Sequence, residues 1–150
     1  MASIKLEAGS QTSLLTTELN SLANANASAL GTEYDNSSSL YMFGLFELNV
    51  TFGTNPTQGS TVDLYIVPAP DGTNYDDATT GATLLTPITS FAGSFPLRNV
   101  TSAQKVPLGA ITQIFLPPTK FKIQVYNRSA QAFPASGSTV KFTPFRYQSV

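Results

Sequence analysis

Thr119-Lys120-Phe121-Lys122-Ile123-Gln124-Val125-Tyr126 alternates apolar and polar side chains without a break. Successive side chains of an extended chain point to opposite faces, so Phe121, Ile123 and Val125 face one way and Lys120, Lys122, Gln124 and Tyr126 the other. The stretch reads as a strand with one buried face, and Pro117-Pro118 punctuates it upstream.

The same period recurs along the chain. Across 40–52, Leu40, Met42, Phe46, Leu48, Val50 and Phe52 share one phase, with Gly44 breaking the run as a bulge would and Glu47, Asn49 and Thr51 in the other phase. Across 61–67, Val62, Leu64 and Ile66 turn inward and Thr61, Asp63 and Tyr65 outward, until the turn-forming run Pro68-Ala69-Pro70-Asp71-Gly72. The loop Gly53-Thr54-Asn55-Pro56-Thr57-Gln58-Gly59-Ser60 between these two strands has hairpin character, which predicts that they pair. Residues 71–81 read as a surface loop, and 84–100, with Leu84-Leu85 and Phe95-Pro96-Leu97, as short edge strands at best. Weaker alternation covers 103–108 and 110–116. In 139–147, Val140 and Phe142 alternate with Lys141 and Thr143 up to Pro144, a residue suited to an edge or a bulge.

One segment differs. In Ser13-Leu14-Leu15-Thr16-Thr17-Glu18-Leu19-Asn20-Ser21-Leu22 the leucines at 15, 19 and 22 recur at i, i+4 and i+7, which predicts a short helix with Ser13 as N-cap. Directly after it, Ala23-Asn24-Ala25-Asn26-Ala27-Ser28-Ala29-Leu30 alternates with period two and reads as a strand of small residues.

About seven or eight short strands separated by turn residues, with a single short helix, predict an all-β fold. The architecture expected is an antiparallel β-sandwich of jelly-roll or Greek-key type carrying a short N-terminal helix or arm. Residues 1–30 form the arm and 31–150 the sandwich. The predicted core is Leu40, Phe46, Leu48, Val50, Val62, Leu64, Ile66, Phe121, Ile123, Val125, Val140 and Phe142.

Composition narrows the function. Only 11% of the 150 residues are charged and the net charge is −1, too little of either sign to hold a phosphate backbone or an anionic bilayer, so neither nucleic acid nor a membrane is an expected partner. There is no Cys and no His, which removes thiol nucleophiles, disulfides, the commonest general base and the commonest metal ligand. Ser, Thr, Asn and Gln supply about a third of the chain instead. The start Met1-Ala2-Ser3-Ile4-Lys5-Leu6-Glu7 has no basic segment followed by an apolar run, so synthesis in a cytoplasm without export is expected. The sequons at Asn26, Asn36, Asn49, Asn99 and Asn127 then carry no weight.

Among chemical constellations, Glu33, Asp35 and Glu47 are the nearest to a glycosidase-type carboxylate pair, but the neighbouring Asn36-Ser37-Ser38-Ser39 marks a turn in which Asp serves local hydrogen bonds. Asp71, Asp76 and Asp77 offer hard oxygens to Ca²⁺ without EF-hand spacing, which reads as an ordinary loop. Tyr41, Tyr65, Tyr126 and Tyr147 fall in the outward phase, where tyrosines stack on sugars, anchor a protein interface or are covered by the N-terminal segment. No Gly-rich phosphate loop is present.

Three stretches carry a resemblance. Leu14-Leu15-Thr16-Thr17-Glu18-Leu19-Asn20-Ser21-Leu22-Ala23, then Val62-Asp63-Leu64-Tyr65-Ile66-Val67-Pro68-Ala69-Pro70-Asp71-Gly72-Thr73-Asn74-Tyr75, and Leu116-Pro117-Pro118-Thr119-Lys120-Phe121-Lys122 followed by Gln131-Ala132-Phe133-Pro134-Ala135-Ser136-Gly137 resemble small virion proteins of tailed bacteriophages, nearest to capsid decoration or cement proteins. The resemblance implies a non-enzymatic protein on the outer capsid surface, with the major capsid protein as partner and no catalytic residue, cofactor or metal. A collar, neck or tail position is the other virion reading, and a carbohydrate-binding β-sandwich module is the reading from another class. A homo-oligomer is expected, since exposed sheet edges must be covered, with a trimer ahead of a dimer. The leucine stripe is too short to stand alone as a helix, so the N-terminal 30 residues are expected to act as a clasp through Leu15, Leu19 and Leu22. Tyr65 and Tyr126, from the outward phase, are expected as further partner contacts.

Overall fold

The structure is a computed structural model in which residues 3–75 and 90–149 are described. Among these residues ten strands run in the order β1 (Ile4–Ala8), β2 (Thr12–Leu15), β3 (Tyr34–Asp35), β4 (Phe43–Val50), β5 (Thr61–Ala69), β6 (Phe91–Pro96), β7 (Gln104–Leu108), β8 (Ile114–Phe115), β9 (Lys120–Arg128) and β10 (Thr139–Ser149). They form a six-stranded sheet ordered β1-β10-β4-β7, with β2 beside β10 and β8 beside β4, and a four-stranded sheet ordered β3-β9-β5-β6. All the pairings are antiparallel. If β1 and β2 count as one interrupted strand, and β7 and β8 as another, the chain visits the sheets in the order that defines a jelly roll. The strands on either side of the 53–60 loop, β4 and β5, therefore lie in different sheets and do not pair.

Most of the expected inward residues line the space between the sheets. Phe46, Leu48, Val62, Leu64, Phe121, Ile123, Val125, Val140 and Phe142 are wholly buried, and Val50 and Ile66 nearly so. Leu40 is the exception, at 54% exposure. It sits in the left-handed region (φ 49°) at the end of a turn, in which its own N–H donates to the Asn36 carbonyl over 3.0 Å. The buried Asn36 side chain holds that turn, donating to the carbonyls of Tyr41 and Pro117 and accepting from Tyr41 N–H, all at 2.8 Å.

Gly44 marks no bulge. The register through Leu45, Gly44 and Phe43 against Thr143, Pro144 and Phe145 is regular, and the absent side chain makes room for rings: a Cβ there would lie 2.7 Å from Phe142, 2.9 Å from Phe46 and 3.0 Å from Leu116. Pro144 is likewise neither at an edge nor in a bulge, since β10 lies between β4 and the β1/β2 pair. Its carbonyl accepts from Gly9 N–H at 2.8 Å. A residue's N–H and C=O point to the same side of a strand, so its missing donor faces the gap between β1 and β2, where least is lost.

The N-terminal segment departs furthest from expectation. Residues 12–15 form a strand and only residues 17–19 a 3₁₀ turn. Val140 pairs with Leu15 and Lys141 with Ser13, so Leu14 is an extra residue in β2. That bulge breaks the alternation and lets Leu14 and Leu15 both bury. The expected strand over 23–30 reduces to a bridge between Ala27 and Tyr126, with backbone bonds from Ala25, Ser28 and Gly31 to β9 carbonyls. Leu15, Leu19 and Leu22 belong to the core cluster of the sandwich, which corrects their assignment as partner contacts. No boundary at residue 30 separates an arm from a body, because β1 and β2 are strands of the larger sheet.

Truncating Leu15 or Leu19 to Ala is expected to cost about 2–5 kcal/mol each, the usual penalty for a fully buried leucine, read by urea denaturation. Deleting residues 1–30 is expected to abolish the cooperative transition; a truncated chain that still melted cooperatively would contradict this placement.

Candidate partner-docking face

Alternation along β4 sends Gly44, Phe46, Leu48 and Val50 into the core, so Phe43, Leu45, Glu47 and Asn49 stand on the outer face of the larger sheet. Register carries that face sideways. Ala8 pairs with Phe145, Phe145 with Phe43, and Phe43 with Phe115, which makes one apolar row across four strands. Beside it Leu6 pairs with Tyr147, and Ile4 follows two residues along β1. Phe43 is buried yet lies outside the core cluster; the ring of Phe115 at 5.1 Å and that of Tyr147 at 5.7 Å, edge-on, flank it. Its neighbours are open, with Ile4 75%, Leu6 60%, Phe115 70% and Tyr147 52% exposed. Scattered exposed apolar residues are ordinary, whereas a contiguous set on one sheet face marks an interaction surface. Toward the other end the same face turns polar, where Asn49 Nδ2 donates to Glu47 Oε1 at 2.9 Å and to Thr139 Oγ1 at 3.4 Å.

Phe115 also borders an open groove of about 690 Å³ at one end of the sandwich, lined by Ile66, Pro68, Phe91, Leu108 and Ile114 among others. Ile111, in the loop between β7 and β8, is 98% exposed nearby in sequence.

The outer face of the smaller sheet is built differently. Asp63 is buried and accepts from Arg128 Nε at 2.6 Å, Ser94 Oγ at 2.7 Å and Thr61 Oγ1 at 3.2 Å. The Arg128 guanidinium in turn lies over the Tyr126 ring at 4.7 Å. Tyr65, expected as an outward contact, is buried against Phe91 with ring centroids 5.6 Å apart. Its strand is flanked by β6 and β9 and covered on both faces. Burial, with the Asp63 charge second, pushes the Tyr65 hydroxyl above its ordinary range. Tyr126 and Tyr41 are half-buried, and of the four tyrosines in the outward phase only Tyr147 is exposed. They therefore form no common stacking platform.

The carboxylates do not converge. Glu33 and Asp35 lie at the β3 edge of the smaller sheet, and Glu47 on the outer face of the larger one. Glu33 accepts from the Tyr75 hydroxyl and pairs with Lys120 Nζ at 3.1 Å; these contacts, the Tyr75 bond first, hold its carboxyl below the usual value. Asp35 accepts from Ser37 Oγ at 2.6 Å and Ser37 N–H at 2.9 Å, which lowers it in the same way. Both are anions in local bonds rather than acids poised to donate a proton. In the loop after β5, Asp71 Oδ1 accepts from the N–H groups of Thr73 (2.8 Å) and Asn74 (2.7 Å), and Oδ2 from Asn74 Nδ2 (2.7 Å). The loop's own donors thus occupy those oxygens and hold Asp71 down to about 2. Asp76 and Asp77 lie outside the described residues, and among the described residues no group of three or more acidic side chains could hold a metal ion.

No family model matches the chain, and no curated protein matches it. Solved structures similar to it include Desmodium yellow mottle tymovirus (13% identity over 99% of this chain and 88% of that one, TM-score 0.39). A second is a semi-empty virus-like particle of the prawn Macrobrachium rosenbergii nodavirus (13% identity, 100% and 95% covered, TM-score 0.37). A third is a carbohydrate-binding module of the β-sandwich superfamily (11% identity, 97% and 56% covered, TM-score 0.30).

Because Tyr75 is the foremost cause of the Glu33 shift, Tyr75→Phe is expected to move the Glu33 titration up toward the ordinary carboxylate value, with Lys120 still holding it partly down. Carboxyl-resolved NMR from pH 2 to 7 measures this. A depressed carboxylate supports the fold above its unfolded pKa and loses that support as pH falls through the folded one, so the variant should lose the Glu33 contribution at higher pH than the native chain. An unchanged titration would contradict the assigned hydrogen bond.

Proposed function

We propose that the chain is a non-enzymatic structural protein of a bacteriophage virion: a capsid decoration or cement protein that sits on the outer shell and stabilises neighbouring major capsid subunits. The observation that carries this reading is the apolar row on the outer face of the six-stranded sheet, with Leu6, Phe115 and Tyr147 open to solvent. A sheet face with aromatic anchors at one end and polar groups at the other has the make-up of a protein interface. Jelly rolls recur in viral shells, and in lectins too, so the fold alone does not choose. The docking reading fits this face, whose exposed rings have, among the described residues, no polar groups converging on them to orient a sugar.

The mechanism is linkage. A protein that binds the assembled lattice and not the loose subunit lowers the free energy of the lattice in proportion to its occupancy, so many weakly bound copies stabilise a shell. With 11% charged residues, most contacts would form without desolvating ions. In this reading the copies also associate with one another, with a trimer at shell junctions ahead of a dimer.

Replacing both Phe115 and Tyr147 by Asp is expected to weaken binding to capsids at least about tenfold with little change in melting, because both rings are more than half exposed. Co-sedimentation with purified particles measures the loss, and cryo-electron microscopy locates the bound chain. Undiminished binding by the double variant would rule out this face. Density at the tail or neck would retain the virion part of the reading and remove decoration.

A further inference from the structure

We propose that β1 is a two-fold association edge, at which β1 of one copy pairs antiparallel with β1 of a second copy in a register centred on Leu6. The proposal rests on the reading that copies of the chain associate, and names where.

β1 closes one side of the larger sheet, and among the described residues its ladder partner is β10 alone. The Gly9 N–H reaches across to Pro144, so alternation turns the peptide groups of Lys5 and Glu7 toward β10 and those of Ile4, Leu6 and Ala8 outward. Among the described residues these outward groups form a row without backbone partners, the kind of edge that templates a further strand.

Side chains fix the register. Ile4-Lys5-Leu6-Glu7-Ala8 carries opposite charges one residue either side of its centre. An antiparallel pair centred on Leu6 sets Lys5 against Glu7 of the second copy, and Glu7 against the second copy's Lys5. Centring on Lys5 or on Glu7 sets like charges face to face, and a one-residue slip puts the apolar and charged residues on the wrong faces. Lys5 makes no ion pair within the described residues, whereas Glu7 already accepts from Arg146 Nε at 2.6 Å. The intermolecular pair would thus extend an existing ion pair. On the outer face Leu6 meets its symmetry mate, Ile4 meets Ala8, and the two apolar rows join into one continuous surface. The contact is isologous, hence closed at two copies, and is compatible with a separate threefold contact elsewhere.

The chain has no cysteine, so single cysteines report register without background. In a directly opposed, hydrogen-bonded pair the Cα atoms are about 5.5 Å apart, within disulfide reach. Under mild oxidation Leu6→Cys should cross-link to itself. Ile4→Cys and Ala8→Cys should not do so alone, since like positions would lie about 13 Å apart along the strand, but should cross-link when mixed. In sedimentation velocity Lys5→Glu should shift the native chain's dimer toward monomer, and an equimolar mixture of Lys5→Glu with Glu7→Lys should restore it, because the charges then match in the mixed pair. Cross-linking at 4, 6 and 8 alike, or Lys5→Glu associating as the native chain does, would overturn the β1 contact while leaving self-association through another surface intact. A native chain that stays monomeric to about 200 µM and does not cross-link through Leu6→Cys would overturn both.

Discussion

Phe142 is where the two sheets meet. Its ring lies 5.0 Å from Phe46 on the neighbouring strand of the same sheet, 5.8 Å from Phe121 of the opposite sheet in an edge-to-face contact, and 4.9 Å from Tyr34 at that sheet's edge. Such pairs contribute about 0.5–1.5 kcal/mol each beyond the area they bury, and here they also set the distance between layers. The cluster exists because Gly44 leaves the space, which explains why a strand otherwise rich in large residues carries a glycine at its core-facing position. Since Phe142 lies on β10, the strand that β1, β2 and β4 all pair with, the position of the outer apolar face relative to the core follows from how this ring is seated.

Neutral amides do the work that ion pairs do elsewhere. Asn127 Nδ2 ties the Leu22 and Gln131 carbonyls, at 3.0 and 2.8 Å. Gln104 accepts from Arg98 N–H at 2.8 Å and donates to its carbonyl at 3.0 Å, and Gln124 Nε2 donates to Ser28 O at 2.7 Å. Each is buried, and each satisfies backbone groups of a segment that has no ladder of its own. The abundance of Asn and Gln in the sequence is therefore partly internal. It holds irregular connections against the sandwich at little electrostatic cost, without burying formal charge.

Alternation made the central strands legible because each has one face on the core: β4, β5, β9 and β10 lie where the period-two reading puts them. It failed where a second constraint intervened. The bulge at Leu14 turned two consecutive leucines inward and left Leu15, Leu19 and Leu22 spaced like a helical stripe. Leu40 shared the phase of β4 but fell in the preceding turn. For the candidate site, the pattern identified outward residues and not what lies over them, so Tyr147 and Tyr65 read alike although one is open and the other buried. The apolar row itself was hidden because Phe43, Phe115 and Phe145 come from three strands and adjoin only through cross-strand register.

The placement of Pro144 has a consequence for how the sheet opens. With no amide on the side facing the β1/β2 junction, the ladder along that flank of β10 is in two separate lengths, and Gly9 is the link between them. Loss of the β1 length need not propagate into β2, whose Leu14 and Leu15 are anchored in the core. The larger sheet thus has two levels of local stability along one flank: a slow-exchanging half continuous with the core, and a five-residue half whose amides can exchange through an opening that leaves the jelly roll closed.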